Sequence, residues 1–197
     1  MTTKEKILND IRQNLPKREK VAHPEIPTFE KEGVDLLATF KKNLEIAAGK
    51  WHEVNSIEEA QEIVKNEFPD AKVICSVTDE WQGNKPVGSI DHPQDLADVD
   101  LGIIRAEFGV AEMGMVWLTE KDLKVNAIGF LSQHLIILLD PNKLTENMHT
   151  AYHKLDLMGI KYGNFMMGPS ATADIEATLV HGAQGARSLT VFFLPEA

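Results

Sequence analysis

Five consecutive apolar residues, Leu135 to Leu139, follow His134 and stop at Asp140-Pro141. A strand with one wet face alternates apolar and polar side chains. A run without a polar break suits a strand covered on both faces, which is the habit of parallel sheets. A second signal agrees. Trp51 to Val54 reads as a strand, Asn55-Ser56 opens a helix, and Lys72 to Ser76 reads as another strand. Strand, helix, strand is the local pattern of an α/β protein. Ser56 and Glu59 have capping-box spacing, with the hydroxyl accepting from the backbone of Glu59 and the carboxylate reaching back.

The remaining chain fills in around this frame. Residues 3–14 form an amphipathic helix with Ile7, Leu8 and Ile11 on one face, which Leu15 continues, and Pro16 stops it. Residues 16–31 carry Pro16, Pro24 and Pro27 among charges and read as an extended linker. Such a tethered helix packs on its own fold or on a partner chain. Residues 33–49 form a helix with Leu36, Leu37, Phe40 and Leu44 as its apolar stripe. Residues 77–98 are a long polar loop in which Trp81 reads as a packing anchor. Strands follow near 99–104, 108–111 and 115–118, interrupted by Gly109 and Gly114. Helix is expected over 144–159, strand over 164–167, helix over 171–180 and a last strand over 189–194. The expected division is an arm over residues 1–32 and one α/β domain over 33–197.

Charge and cysteine usage exclude several functions. The formal net charge of −10 is uneven: residues 1–50 carry ten basic and eight acidic side chains, and residues 51–197 carry ten and twenty-two. An acidic body repels phosphate backbones, so nucleic acid is not an expected partner. The lone Cys75 lies in an apolar run and reads as a buried, inert thiol. One thiol cannot hold an iron–sulfur cluster by itself, so no cofactor is identified in this chain. The N-terminus lacks a hydrophobic signal region, and no apolar stretch approaches spanning length. A cytoplasmic protein is expected.

Three catalytic motifs fail on inspection. Gly163-x4-Gly168-Pro169-Ser170 approaches a phosphate-binding loop, but Pro169 stands where the loop's lysine is needed. Gly168-Pro169-Ser170-Ala171-Thr172 approaches a nucleophile elbow, but Thr172 replaces its second glycine and His181 falls on the same expected helix. His149 and His153 share a helix face near Glu146, yet no third ligand accompanies them, so a polar solvated face is the reading.

The run Gly168-Pro169-Ser170-Ala171-Thr172-Ala173-Asp174 is more distinctive. Gly168 permits a sharp turn or a close approach, and Pro169 fixes chain direction. Ser170 or Thr172 stands where it would cap the expected helix. Free amides at a helix start favour an anion. The carboxyl ends of parallel strands, where the turn is expected, are where such sheets bind ligands. A plain capped helix, its dipole satisfied by Asp174, explains the same residues.

Residues 168–180 resemble the signature of the lactate-utilisation protein C family, and so does Gly182-Ala183-Gln184-Gly185-Ala186-Arg187. Ala111-Glu112-Met113-Gly114-Met115 resembles that family's Ala-Glu-Thr-Gly-Thr/Ser segment. The chain looks like a divergent member. Ala171 replaces a usual arginine, Met113 and Met115 replace hydroxyl residues, Gln184 a frequent histidine and Ala186 a frequent proline.

The resemblance implies a three-layer α/β/α fold with a mainly parallel sheet, like sugar-phosphate isomerases, methenyltetrahydrofolate synthetase and coenzyme A transferases. It also implies an accessory role beside iron–sulfur partner proteins that oxidise L-lactate to pyruvate. Gly114, Gly168, Ser170, Thr172, Asp174 and Arg187 are then the expected residues around a small anion. Glu112-Met113-Gly114 resembles the turn that carries the nucleophilic carboxylate of some coenzyme A transferases, which opens an independent transferase- or isomerase-type enzyme as an alternative, while a turn residue bonding local backbone explains Glu112 as well. A partner-binding module without ligand is the third reading. The sequence leaves a homodimer open.

Overall fold

A computed structural model describes residues 2–16, 24–156, 158–174 and 176–196. Helix α1 (Thr3–Asn14) opens the chain and is capped by Thr2, whose hydroxyl accepts from Glu5 N while Glu5 bonds back to Thr2 N. None of its residues is buried. Residues 17–23 of the expected linker lie outside the described residues. Residues 24–31 run irregularly and are tied down at several points. Asn147 Nδ2 donates to Thr28 O at 2.9 Å, Lys31 N donates to the Glu146 carboxylate, and Phe29 meets the ring of His149 edge-on.

Helix α2 (Leu36–Ile46) starts at Asp35, which accepts from Ala38 N at 3.0 Å. Its apolar stripe buries Phe40 and Leu44 completely. Strand β1 (Lys50–Glu53) leads to α3 (Ile57–Glu67) and β2 (Ile74–Ser76). At the start of α3, Ser56 Oγ accepts from Glu59 N as expected, but Glu59 reaches back to Asn55 N rather than to Ser56. Next come β3 (Leu101–Arg105), β4 (Phe108–Val110), β5 (Met115–Thr119), α4 (Glu120–Leu123), α5 (Ile128–Leu131) and β6 (His134–Leu139). The chain continues through β7 (Leu144–Thr145), α6 (Met148–Lys154), β8 (Gly163–Met166), β9 (Ala171–Thr172), β10 (Val180–His181) and β11 (Ser188–Phe193).

The main sheet has the order β1-β11-β6-β3-β2, and every pair in it is parallel. The apolar run is its central strand, β6. Ile136 and Leu138 face α3 in a core with Ile103, Val64 and Trp81, and Leu135, Ile137 and Leu139 face Phe40, Leu44, Leu123 and Ile128. This is the α/β/α layering that the family resemblance implies. The strand–helix–strand unit over 50–76 does not form a neighbouring pair; β1 and β2 occupy opposite edges. Cys75 is fully buried, and burial pushes its thiol up.

A second sheet, order β7-β4-β5-β8, was not expected. Strands β5 and β8 run antiparallel, so 164–167 is not a strand of the parallel sheet. One face of this sheet joins the α2 core through Val116 and Leu118. Its other face packs Phe108, Val110, Met115 and Trp117 under Ala151 of α6. The helix expected over 144–159 is shorter because Leu144 and Thr145 pair with Gly109 and Val110 instead. Nor do the described residues between 171 and 180 form the expected helix. Val180 and His181 pair antiparallel with Thr172 and Ala171.

Candidate functional site

The Ala111–Gly114 segment is a tight turn, with Gly114 N donating to Ala111 O at 3.3 Å. Gly114 has φ +61, and a Cβ there would lie 2.3 Å from Leu44 N. Only glycine lets the turn approach α2 this closely. Asn43 of α2 secures it by donating from Nδ2 to both Ala111 O and Glu112 O, each at 2.9 Å. Glu112 N donates to Glu146 O, and Glu112 Oε2 accepts from Met148 N, the first residue of α6, at 3.1 Å. One carboxylate oxygen of Glu112 is therefore engaged at a helix start, which is what a structural turn residue does. The carboxylate lines a cavity of about 560 Å³ with Lys31, Asn43, Glu146 and His149.

The Gly168–Asp174 run lies one helical turn further along α2. Gly168 also has φ +61, and a Cβ on it would meet Ala47 O at 2.2 Å. Pro169 is buried. Ser170 N donates to Ala186 O at 2.9 Å, and Ser170 O accepts from Gly182 N at 2.8 Å. These two bonds hold the chain extended and feed it into the β9–β10 hairpin. Residues 171–180 contain good helix formers, but tertiary pairing overrides that preference. Glu176 and Ala177 have φ +53 and +55, which no helix contains. The expected helix start, with its free amides and dipole, is therefore corrected: Ser170 N is already bonded.

What the run does build is a cleft of about 300 Å³, lined among others by Asn164, Gly168, Ser170 and Gln184. Gly185 allows Ser170 to pack close, since a Cβ there would fall 3.0 Å from Ser170 Cβ. Leu135 near the start of β6 and Ala186 just before β11 also line it. The cleft thus stands at the amino ends of the parallel strands, not at the carboxyl ends where the sequence reading put it.

Thr172, Asp174 and Arg187 are not on this cleft. Thr172 Oγ1 donates to Asp174 Oδ2 at 2.6 Å and accepts from Asp174 N, so the pair closes a local turn in the hairpin. Arg187 packs beneath Gly182, whose added Cβ would sit 2.5 Å from Arg187 Cγ. Its charge, after burial, helps to hold the His134 imidazole below its ordinary range. Glu112 lines the separate cavity against α2, and Gly114 packs on the α2 backbone at the end of the turn that carries it. The seven expected residues therefore fall into several places, with only Gly168 and Ser170 on one cleft. Asn43, Asn164 and Gln184 were not singled out as contributors to either cavity. For Asn43 a signal existed, because it is a polar residue in register with the apolar stripe of Leu36 and Phe40.

The LUD domain profile matches residues 85–194, which include both the 111–114 turn and the 168–187 run. The chain belongs to the LUD domain family. An uncharacterized protein of Neisseria meningitidis is 31% identical over 105 residues, covering 51% of this chain and 45% of that protein. A lactate utilization protein C of a Geobacillus strain is 28% identical over 135 residues, covering 65% of this chain and 53% of that protein. The chain spans about half the length of the curated relatives it matches. Among solved structures, a DUF162 family protein from Deinococcus radiodurans superposes with a TM-score of 0.60 at 12% identity, over 81% of this chain and 96% of that one. That likeness is one of fold.

Within this LUD domain, no group of three or more His, Cys, Asp or Glu among the described residues could hold a metal ion. Nor is any described helix long and apolar enough to cross a membrane. Chemically, the Ser170 cleft offers a hydroxyl and two carboxamides in place of ionised groups. Such a lining binds and orients a small polar molecule by hydrogen bonds.

Proposed function

We propose that this LUD domain is a non-redox accessory component of a lactate-utilisation system, and that the cleft beside Ser170 holds its small polar or anionic ligand. The similarity to a lactate utilization protein C over 135 residues carries the first part. The second part is supported by the way the two halves of the C-terminal signature meet: Ser170 N bonds to Ala186 O, so segments 168–171 and 184–186 face each other across one cleft. The electron-carrying clusters of the system would reside in partner proteins, since Cys75 is the one thiol here and it is buried. The accessory chain would bind substrate, product or a partner's exposed group by hydrogen bonding, without changing its oxidation state.

The test is genetic. Deleting the gene in its own host should slow growth on L-lactate as carbon source, and the wild-type gene should restore it. A Ser170→Trp version, which fills the cleft, should fold yet restore growth poorly. Undiminished growth of the deletion strain on L-lactate would sink the assignment.

A further inference from the structure

Every residue from 24 to 33 is exposed. Among the described residues, none of their main-chain groups bonds to another main-chain group. The segment is held instead by Glu146, Asn147, His149 and His153, at the start and along one face of α6. Asn147 Nδ2 donates to Thr28 O and His153 Nε2 to Ile26 O, each at 2.9 Å. The Glu146 carboxylate accepts from Lys31 N, and the His149 ring meets Phe29 edge-on. We propose that residues 24–33 are a strap that opens as a unit while the rest of the protein stays folded, and that this opening controls entry to the cavity beside Glu112.

Little opposes the opening. A segment stays closed by burying apolar surface or by completing a ladder of main-chain bonds, and one with neither opens far below the global unfolding free energy. Ile26 and Phe29 are the strap's large apolar side chains, and they remain 47% and 62% exposed. Phe29 also has φ +51, a strained conformation for a bulky side chain that opening relieves. At the α2 end Gly33 has φ +75 and open space where a Cβ would stand, so the chain can turn there without displacing a neighbour.

The strap divides the space beneath it. Two cavities of about 560 and 530 Å³ lie between α2 and α6, and Lys31, Val34 and Glu146 line both. Phe29 walls the first, where Thr39, Asn43 and Glu112 also stand. With the strap lifted, the two cavities join into one groove that leads to the Glu112 carboxylate. With it closed, Phe29 and Lys31 occupy one side of the way in, and a bulky molecule enters only on opening, as with the lid of an enzyme site.

The polar face shared by Glu146, His149 and His153 thereby gains a role other than solvation or metal binding. Glu146 and His153 bond main-chain atoms of the strap, and so does Asn147. Gripping main-chain groups is how a groove holds an extended segment. These side chains are the latch. Lifting the strap returns each of them as a free donor or acceptor on the wall of the enlarged groove.

The test uses Thr39→Cys, on the cavity wall, and follows its reaction with a bulky maleimide in the full native chain. Cys75 is fully buried and serves as the unreactive reference. The Asn147→Asp, His153→Ala pair removes both donors to the strap, while an aspartate oxygen keeps the α6 cap that Asn147 Oδ1 gives Thr150 N. Thr39→Cys should label slowly, and the added pair should speed labelling about ten-fold, the loss of two hydrogen bonds of modest net strength. In chains that keep Thr39, the pair should accelerate amide exchange at Lys31 by a similar factor and leave Ile137 of β6 unchanged. Equal labelling rates, labelling that appears only across the urea unfolding transition, or Lys31 and Ile137 accelerating together would each overturn the strap. None of these outcomes touches the Ser170 cleft or growth on lactate, so this inference and the proposed function can fail separately.

Discussion

Gly168 lies so close to Ala47 that a methyl group on it would come within 2.2 Å of the Ala47 carbonyl oxygen. Gly168 also has φ +61, a conformation that side chains disfavour. The last turn of α2 and the signature run therefore fit only while that position has no side chain. Gly168→Ala should destabilise the protein by about 2–4 kcal/mol, from strain plus a backbone clash. Urea denaturation measures it; a loss below about 0.5 kcal/mol would mean the contact relaxes freely.

Asn43 is the corresponding support one turn earlier, donating to the carbonyls of Ala111 and Glu112. Asn43→Ala should cost about 1–2 kcal/mol, because the partly buried bond to Ala111 O is lost along with an exposed one to Glu112 O. Amide exchange at Gly114, whose N–H closes the turn onto Ala111 O, should accelerate. Unchanged exchange there would show that Gly114 packing alone holds the turn.

The pH dependence of stability should carry two opposite contributions. Asp100 accepts from Val73 N and Lys72 N at 2.8 and 2.7 Å, and these bonds, with the charges of Lys72 and His134, hold its carboxyl below its usual 3.8. A folded pKa below the unfolded one gives stability that is present above about pH 4 and is lost as pH falls through the lower folded value. Glu107 is the reverse. Its raised folded pKa gives stability that is present below its unfolded pKa and is lost as pH rises through the folded value. Thermal melts from pH 3 to 7 should show Asp100→Asn weakening the acid-side fall and Glu107→Gln gaining stability towards neutrality. A Glu107→Gln protein that is less stable at pH 7 would contradict the second sign.

Helix α1 exposes Ile7 and Ile11 by 54% and 53%. The Ile7→Ser, Ile11→Ser double variant should alter the unfolding free energy by no more than about 0.5 kcal/mol, as for surface substitutions that break no contact. A larger loss in dilute protein would mean that this face packs against the body.

Several features were legible in the sequence because their causes are local or act through a repeating pattern. The unbroken run 135–139 implied a strand covered on both faces, and β6 is that strand, at the centre of a parallel sheet. The stripe Leu36, Leu37, Phe40 and Leu44 fixed both the existence of α2 and its buried side, and Ser56 marked the start of α3. Cys75 was placed inside by its apolar run and Trp81 was read as a packing anchor in a polar loop, and both are buried. The family signature was visible as well, because it is a string of residues.

Tertiary structure decided what non-local pairing controls. Residues 171–180 have helix-forming composition, yet Ser170 bonds to Ala186 and Gly182, and the chain becomes a hairpin. Strand 163–166 could be recognised from its residues, but its partner, β5, and hence its sheet could not. That choice put the Ser170 cleft at the amino edge of the parallel strands, beside Leu135 and Ala186. Propensity and periodicity act over a few residues. Which strand edge is free, and which side chains meet across a cavity, depends on hydrogen bonds and packing between segments tens of residues apart.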